Sequence, residues 1–290
     1  MAQFDYVAPS SVDEAVKALM SAPSARVLAG GTDLIVQMRA GRQEPGAVVD
    51  LKRIPGAMGI RREADGGFTI GAATSGAAIG EDAALVRAWP GVVEATNLIG
   101  STQVQGRASL AGNLCNASPA ADSVPAMIAA RATCVIVGPG GRREAPVEAI
   151  QTSPGRTSLQ PGEFVLEIRL PPRPRRAADA YLRLIPRTEM DIAVVGAGVS
   201  LVLDAAGVIT EAHVALGAVA PTSLLVAEAG AALVGTKVDE AALNALDAAA
   251  RAACNPISDK RGTVDYRIKI AGVLARRAVA IAYARAEARA

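Results

Sequence analysis

The chain has 290 residues, of which 51% are hydrophobic and 20% are charged, with a net charge of only +2. This length predicts two folded domains, and the composition is unlike that of a disordered protein. The near-balanced charge and an aromatic content of 3% predict no nucleic-acid partner, since such proteins need a basic face or base-stacking rings.

The chain carries no signal for a membrane or for secretion. It has no apolar run of about 18 residues, and its first residues lack a basic region followed by an apolar one. The sequence therefore predicts a cytoplasmic protein without a membrane span. The three cysteines, Cys115, Cys134 and Cys254, match no zinc or iron–sulfur spacing, so we expect any metal to be held by another chain.

The first 170 residues alternate short helices and strands. Ser11 and Glu14 form a capping pattern before a helical run, and strands are predicted at 26–28, 47–50, 68–70, 133–137 and 164–170. Helices are predicted from Leu34 towards Gly41 and around 79–86, 90–98 and 123–130, whereas residues 106–119 are small, polar and turn-rich. This pattern predicts an α+β fold.

A boundary is predicted at Pro171-Pro172-Arg173-Pro174-Arg175-Arg176, because three prolines among basic residues continue neither sheet nor helix. We expect a solvated connector there, with one domain over residues 1–172, divided into about 1–55 and 56–172, and a second over 177–290. The second domain shows strand-like runs at 181–185, 192–203 and 208–216, then helices at 223–233, at 239–253 and from Val264. That order predicts an antiparallel sheet with helices on one face.

The run Ala29-Gly30-Gly31-Thr32-Asp33 lies between a predicted strand and a predicted helix. Glycines in that position let the backbone approach a phosphate and direct its N–H groups at it. The run alone is weak evidence, since most Gly-Gly turns are only turns, and it lacks the spacing of a Rossmann fingerprint or a P-loop.

A second segment of small residues, Ser109-Leu110-Ala111-Gly112-Asn113, could close with the first on one diphosphate. Asp122 follows, just before an apolar helix. On the residues alone, the simplest interpretation of Asp122 is a helix N-cap or an acid of the first helical turn.

These segments, together with a third, resemble those of the flavoprotein subunit of molybdenum hydroxylases, a family that includes carbon monoxide dehydrogenase and bacterial relatives of xanthine dehydrogenase. The third segment is Ile257-Ser258-Asp259-Lys260-Arg261-Gly262-Thr263-Val264-Asp265-Tyr266-Arg267. The resemblance covers nearly the whole chain. It implies a two-part α+β FAD-binding domain of the PCMH type, followed by a C-terminal three-stranded antiparallel sheet with helices.

The resemblance also implies which residues bind FAD. Asp122 matches a flavin-proximal carboxylate, Ala111 stands where relatives usually have Gly, and Arg183 stands where they often have Lys. If the backbone at Ala111 needs a positive φ, its Cβ costs about 1 kcal/mol or more. The implied FAD residues are Val27, Leu28, Ala29, Gly30, Gly31, Thr32, Asp33, Leu34, Ile99, Ser109, Ala111, Gly112, Asn113, Asp122, Val165 and Arg183.

The family's function implies an oxidoreductase subunit that contains no catalytic acid or base of its own. FAD is expected to be non-covalent, because a covalent histidyl flavin needs a suitably placed histidine and His213 is the only histidine. A small partner subunit with two [2Fe–2S] clusters would supply electrons, a large partner would hold the molybdenum cofactor, and the assembly would be a dimer of heterotrimers. His213, in the C-terminal domain, is expected to be structural, Cys115 to have no redox role, and Trp89 to lie in the core.

Two alternatives remain open at this point. One is a self-sufficient FAD oxidoreductase on the same flavin fold, which would oxidise NADPH unaided. The other is a scaffold that has lost its cofactor and only joins two subunits.

Overall fold

The computed structural model describes residues 3–22 and 24–289. Its strands, in chain order, are β1 (Asp5–Val7), β2 (Arg26–Leu28), β3 (Ala47–Asp50), β4 (Ile60–Arg62), β5 (Phe68–Gly71), β6 (Thr133–Gly138), β7 (Gly141–Pro146), β8 (Gln151–Ser153), β9 (Arg156–Thr157), β10 (Phe164–Leu170), β11 (Ala177–Leu184), β12 (Val195–Leu203), β13 (Ile209–Gly217) and β14 (Leu224–Leu225). Its α-helices are α1 (Val12–Ser21), α2 (Leu34–Arg39), α3 (Gly76–Glu81), α4 (Ala83–Ala88), α5 (Pro90–Asn97), α6 (Thr102–Gln105), α7 (Leu110–Cys115), α8 (Ser123–Ala129), α9 (Ala227–Ala231), α10 (Glu240–Ala252) and α11 (Val264–Glu287).

A small parallel sheet with the order β1-β3-β2 begins the fold. Parallel neighbours need a crossover, which α1 and α2 provide. The predicted cap of α1 is present, since the Ser11 side chain accepts a hydrogen bond from the Glu14 N–H at 3.2 Å. The turn after β2 leaves the carboxyl end of a parallel strand, the edge at which such sheets usually bind ligands.

The second sheet is antiparallel, with the order β4-β5-β10-β6-β7. Its central strand β10 is almost entirely buried, which explains its nearly continuous apolar sequence. Helices α3 to α8 lie between β5 and β6 in the chain and pack Leu85, Val92, Leu110 and Met127 into the core. They bring the second small-residue segment up to the first sheet.

The C-terminal sheet has the order β11-β12-β13-β14 and is antiparallel throughout. Its three long strands are the predicted ones, and β14 adds a two-residue edge. The predicted long helix is α11, which buries Ala271, Ala275, Ala278 and Ala282 completely at spacings of three and four residues. These small side chains form the helix face that joins the strands in the second hydrophobic core. The α+β prediction is confirmed.

Two local predictions are wrong. The helix predicted over 223–233 is the short strand β14 followed by α9, and α9 spans only Ala227–Ala231. The turn-rich segment 106–119 contains α7. In both places small residues obscure the periodicity on which the predictions depend.

The predicted solvated connector is also wrong for Arg173. Its side chain is only 9% exposed, its guanidinium lies 3.8 Å from the centroid of the Trp89 ring, and it pairs with Asp179 at 3.3 Å. Trp89 is buried in the core as expected. Arg173 therefore ties the 171–176 segment to α5 and β11 by a cation–π contact and an ion pair.

Within residues 3–22 and 24–289, no helix is long and apolar enough to cross a membrane. The same residues contain no group of three or more His, Cys, Asp or Glu side chains placed to hold a metal ion.

Candidate cofactor cleft

A cleft of about 780 Å³ lies where the parallel sheet meets the second sheet. This is within the usual range for small-molecule sites, about 300–1,000 Å³. The predicted site residues that line it are Val27, Leu28, Ala29, Gly30, Gly31, Thr32, Asp33, Leu34, Ile99, Ser109, Ala111, Gly112, Asn113 and Val165. Asp122 and Arg183 are not among the lining residues.

The turn between β2 and α2 is built around two glycines. A Cβ on Gly30 would lie 1.8 Å from the carbonyl oxygen of Arg107, so no larger residue fits without moving the backbone. Gly31 has a φ of +80°, in the left-handed region that favours glycine. The two glycines therefore allow the turn to approach residues 107–108 closely.

The backbone N–H groups of residues 30–33 are free. None of them donates a hydrogen bond to an acceptor within the described residues, and no described side chain caps α2. Neighbouring unpaired N–H groups in a turn with a left-handed residue form a concavity suited to an anion. The turn thus provides backbone donors at the cleft.

Two carbonyl groups of the same turn, those of Ala29 and Gly30, accept hydrogen bonds from cationic side chains. Lys52 Nζ donates to Ala29 O at 3.0 Å and pairs with Asp50 Oδ1 at 2.6 Å. The Tyr6 hydroxyl donates to Asp50 Oδ2 at 2.6 Å. Burial acts to raise the pKa of Asp50, but the hydrogen bonds from Lys52 and Tyr6 outweigh it and hold that pKa below its ordinary value.

The second half of the cleft is the start of α7, where sequence analysis predicted a loop. Ser109 is its N-cap and accepts a hydrogen bond from the Gly112 N–H at 3.1 Å. Ala111 is helical, has no positive φ and is buried, so the strain anticipated there does not arise. The Cβ of Ala111 joins the hydrophobic core instead.

Two contacts tie the halves of the cleft together. Arg107 Nε donates to Gly30 O at 3.2 Å, and Gln37 Nε2 on α2 donates to Asn116 Oδ1 at 2.9 Å, at the end of α7. These bonds link residues far apart in sequence and fix the separation of the two small-residue segments.

Asp122 and Arg183 lie together behind the cleft. Arg183 Nη1 donates to Asp122 Oδ2 at 2.7 Å, and the Tyr181 hydroxyl donates to Asp122 Oδ1 at 3.2 Å. Asp122 precedes α8 but makes no side-chain capping bond. Burial raises the pKa of Asp122 to about 6, against the lowering effect of Arg183 and the hydrogen bonds. Ser123 connects this cluster to the cleft by donating to Asn113 Oδ1 at 2.7 Å.

One whole wall of the cleft is not predicted by the sequence. The segment before and at the start of β10 supplies Gly155, Thr157, Leu159, Gln160, Pro161, Gly162, Glu163 and Phe164, and α1 supplies Leu19 and Met20. Pro161-Gly162 is a recognisable turn signal. Nothing local shows that this turn lies at the same cleft as the β2–α2 turn, because that depends on the pairing of β10 within its sheet.

The surroundings of Cys115 and His213 indicate no redox or cofactor-binding role for either side chain. Cys115 lines the cleft, but burial raises its pKa to about 12, so its thiol stays protonated and weakly nucleophilic. His213 lies on β13 in the C-terminal sheet, with Nε2 at 2.7 Å from Glu211, and does not line the cleft.

Comparison with known proteins agrees with this geometry. Residues 2–173 match the family described as the FAD binding domain in molybdopterin dehydrogenase, and residues 180–282 match the CO dehydrogenase flavoprotein C-terminal domain. The first match alone covers more than half of the chain. The chain therefore belongs to the family of FAD-binding medium subunits of molybdenum hydroxylases.

Individual relatives are similar over almost their full length. The carbon monoxide dehydrogenase medium chain of Afipia carboxidovorans is 37% identical, and the match covers 98% of both chains. The xanthine dehydrogenase FAD-binding subunit of Escherichia coli O157:H7 is 27% identical, over 97% of this chain and 96% of that one.

Solved structures extend the similarity to the fold. A chain of the reconstituted CO dehydrogenase from Oligotropha carboxidovorans superposes with a TM-score of 0.93 at 36% identity, covering 98% of this chain and 99% of that one. A chain of quinoline 2-oxidoreductase from Pseudomonas putida 86 gives 0.89 at 26% identity, covering 98% of each.

Proposed function

We propose that this chain holds FAD non-covalently in the cleft and passes electrons from the [2Fe–2S] clusters of a small partner subunit to an external acceptor. A large partner subunit holds the molybdenum cofactor and oxidises the substrate, and the assembly is a dimer of heterotrimers. The observation that supports this proposal best is the row of free N–H groups at residues 30–33. These groups line a cleft, and the chain belongs to an FAD-binding family.

The residues present fit a dinucleotide with a diphosphate. A diphosphate needs several converging donors, which the turn at residues 30–33 provides on one side and the start of α7 on the other. Glycine at 30 and 31 keeps side chains out of the space next to those donors.

Each part of the cleft has a separate role in this proposal. Residues 29–34 and 109–113 hold the diphosphate, while Ile99 and Val165 are buried apolar residues that exclude water from the ring system. FAD supplies the redox chemistry when bound, and protein groups adjust its properties. Asp122 and Arg183 place one buried carboxylate and one guanidinium behind Asn113, where their charges set the local potential.

Several earlier expectations belong to the same proposal. We place the cofactor domain at residues 1–172, divided at about residue 55, and the second domain at 177–290. The expectation of a cytoplasmic protein stays a prediction.

The test is to recover the tagged full chain from its native host under mild conditions. The absorbance spectrum reports the flavin, and mass spectrometry identifies the chains that accompany it. We expect yellow protein with a molybdenum subunit and an iron–sulfur subunit. A colourless chain joined to both partners would support the scaffold instead, and a lone yellow chain that oxidises NADPH rapidly would support a self-sufficient oxidoreductase.

A further inference from the structure

We infer that Lys52 and Arg107 are positioning residues, which hold two successive carbonyl groups of the turn so that the N–H groups of Gly30 and Gly31 point at the FAD diphosphate. This inference rests on the proposed function. It concerns two side chains that do not themselves line the cleft.

The first step is the geometry of the Ala29–Gly30 peptide. In a trans peptide the C=O and the following N–H lie in one plane and point in opposite directions. The described residues contain no cis peptide bond. Lys52 Nζ, 3.0 Å from Ala29 O, therefore fixes the direction of the Gly30 N–H as the direction away from Lys52.

The next peptide is held in the same way. Arg107 Nε lies 3.2 Å from Gly30 O, so the Gly31 N–H points away from Arg107. Gly30 and Gly31 line the cleft, whereas Lys52 and Arg107 do not. Both carbonyls are thus engaged by cations outside the cleft lining, and both N–H groups remain unpaired within the described residues.

Lys52 acts through this orientation more than through its charge. Its ammonium is paired with Asp50 Oδ1 at 2.6 Å, so the pair has little net charge to attract a phosphate. Asp50 is itself fixed by the Tyr6 hydroxyl at 2.6 Å and is buried. The chain of contacts from Tyr6 through Asp50 and Lys52 to Ala29 O holds the turn against β1 and β3.

The expected effect follows from the loss of one aligned donor and from the Asp50 carboxylate that is left beside the turn without its ammonium partner. A hydrogen bond to a charged group is worth about 1.5–3 kcal/mol, or roughly a factor of 10 to 100 in affinity. Without Lys52 the peptide can rotate and recover part of that loss. We therefore expect Lys52→Met to weaken FAD binding about tenfold.

The experiment uses the full chain with its accompanying subunits, depleted of flavin. Quenching of flavin fluorescence gives the dissociation constant for FAD, and competition gives that for ADP, which carries the same diphosphate. Lys52→Met should lower the affinities for FAD and for ADP about tenfold. Lys52→Arg should restore both affinities. The control Lys17→Met, on the exposed face of α1, should change neither affinity. At saturating FAD, the visible spectrum of Lys52→Met should match that of the unmodified protein, because the ring system is untouched.

Arg107→Met is the second variant, and because the Arg107 side chain is exposed, the substitution removes no core packing. Arg107→Met should weaken the binding of FAD and of ADP several-fold. FAD and ADP affinities that are unchanged in both Lys52→Met and Arg107→Met overturn the inference while leaving the proposed function intact. A Lys52→Arg protein as weak as Lys52→Met, or an altered flavin spectrum, assigns Lys52 a general structural role and also overturns it. An unmodified complex that binds neither ligand overturns the proposed function itself.

Discussion

The turn at residues 29–33 lines the cleft and the Asp122 cluster does not, and the polar groups of the two regions are arranged in opposite ways. In the turn, side chains engage the carbonyls and the backbone N–H groups are left free. In the cluster, Tyr181 and Arg183 donate to both oxygens of the buried Asp122 carboxylate. The turn therefore offers donors to a ligand, whereas most of the cluster's polar groups satisfy one another.

This difference predicts different responses to pH and to mutation. Backbone N–H groups do not titrate, so the donors of the turn are unchanged over a wide pH range. The cluster contains a carboxyl whose pKa is raised to about 6 by burial, so its charge changes under mildly acidic conditions. Mutations in the turn should affect binding, and mutations in the cluster should affect stability.

The largest effect is expected at Gly31. Gly31→Val places a branched side chain at a φ of +80°, with its Cβ 2.9 Å from Leu28 Cδ1, so the turn must shift and its donors lose alignment. We expect FAD binding to weaken by about 100-fold or more, as when two charged-group hydrogen bonds are lost. The ratio of bound flavin to purified protein measures this.

Gly41→Val is the matched control. Gly41 also has a positive φ, +68°, but it is not a cleft residue and has open space around its Cα. Both variants should lose about 1–3 kcal/mol of stability from backbone strain alone. Equal loss of FAD from both would show that backbone strain, and not the cleft, explains the result.

The largest effect on stability, as distinct from FAD binding, is expected when the buried ion pair is broken. Asp122→Ala leaves the Arg183 guanidinium buried without a counter-charge, which should cost about 3–5 kcal/mol of unfolding free energy in urea denaturation. The double variant Asp122→Leu/Arg183→Met removes both charges and should recover most of that loss. A double variant no more stable than Asp122→Ala would contradict the ion-pair account.

A smaller effect is expected on the free energy of unfolding when the pH changes. The pKa of Asp122 is raised in the folded protein from 3.8 to about 6, so the folded state binds the proton more tightly than the unfolded state. The stability that this group contributes is full below about pH 4 and falls as pH rises to about 6, above which it is constant. Denaturation of the unmodified protein and of Asp122→Asn between about pH 4 and 6 measures this contribution. If the unfolding free energies of the two proteins changed with pH in parallel, the prediction would be contradicted.

The sequence predicts those parts of the site whose residues are adjacent in the chain better than those parts that strand pairing brings together. Gly30 and Gly31 are adjacent to each other between a strand and a helix, so their role follows from local chemistry. Lys52 reaches the turn only through the pairing of β3 with β2. The wall around Pro161 reaches the cleft only through the pairing of β10 with its neighbours. No local pattern encodes those approaches.

The predictions for α7 and for Arg173 are wrong for different physical reasons. Leu110 to Cys115 contains small residues and one glycine, so its amphipathic period is too weak to distinguish a short helix from a loop. Arg173 belongs to a basic, proline-rich run, which is usually solvated. Its burial depends on the Trp89 ring, which lies far away in sequence and is brought close by the packing of α5 on β11.

Hydrogen–deuterium exchange of the turn amides tests the central claim most directly. If the free N–H groups of residues 30–33 donate to the FAD diphosphate, peptides that cover 29–34 should exchange rapidly in flavin-depleted protein and much more slowly after FAD is added. Peptides from α11 provide the control and should not change. Exchange in 29–34 that is the same with and without bound FAD would contradict the account, because the cofactor would then be held by other groups.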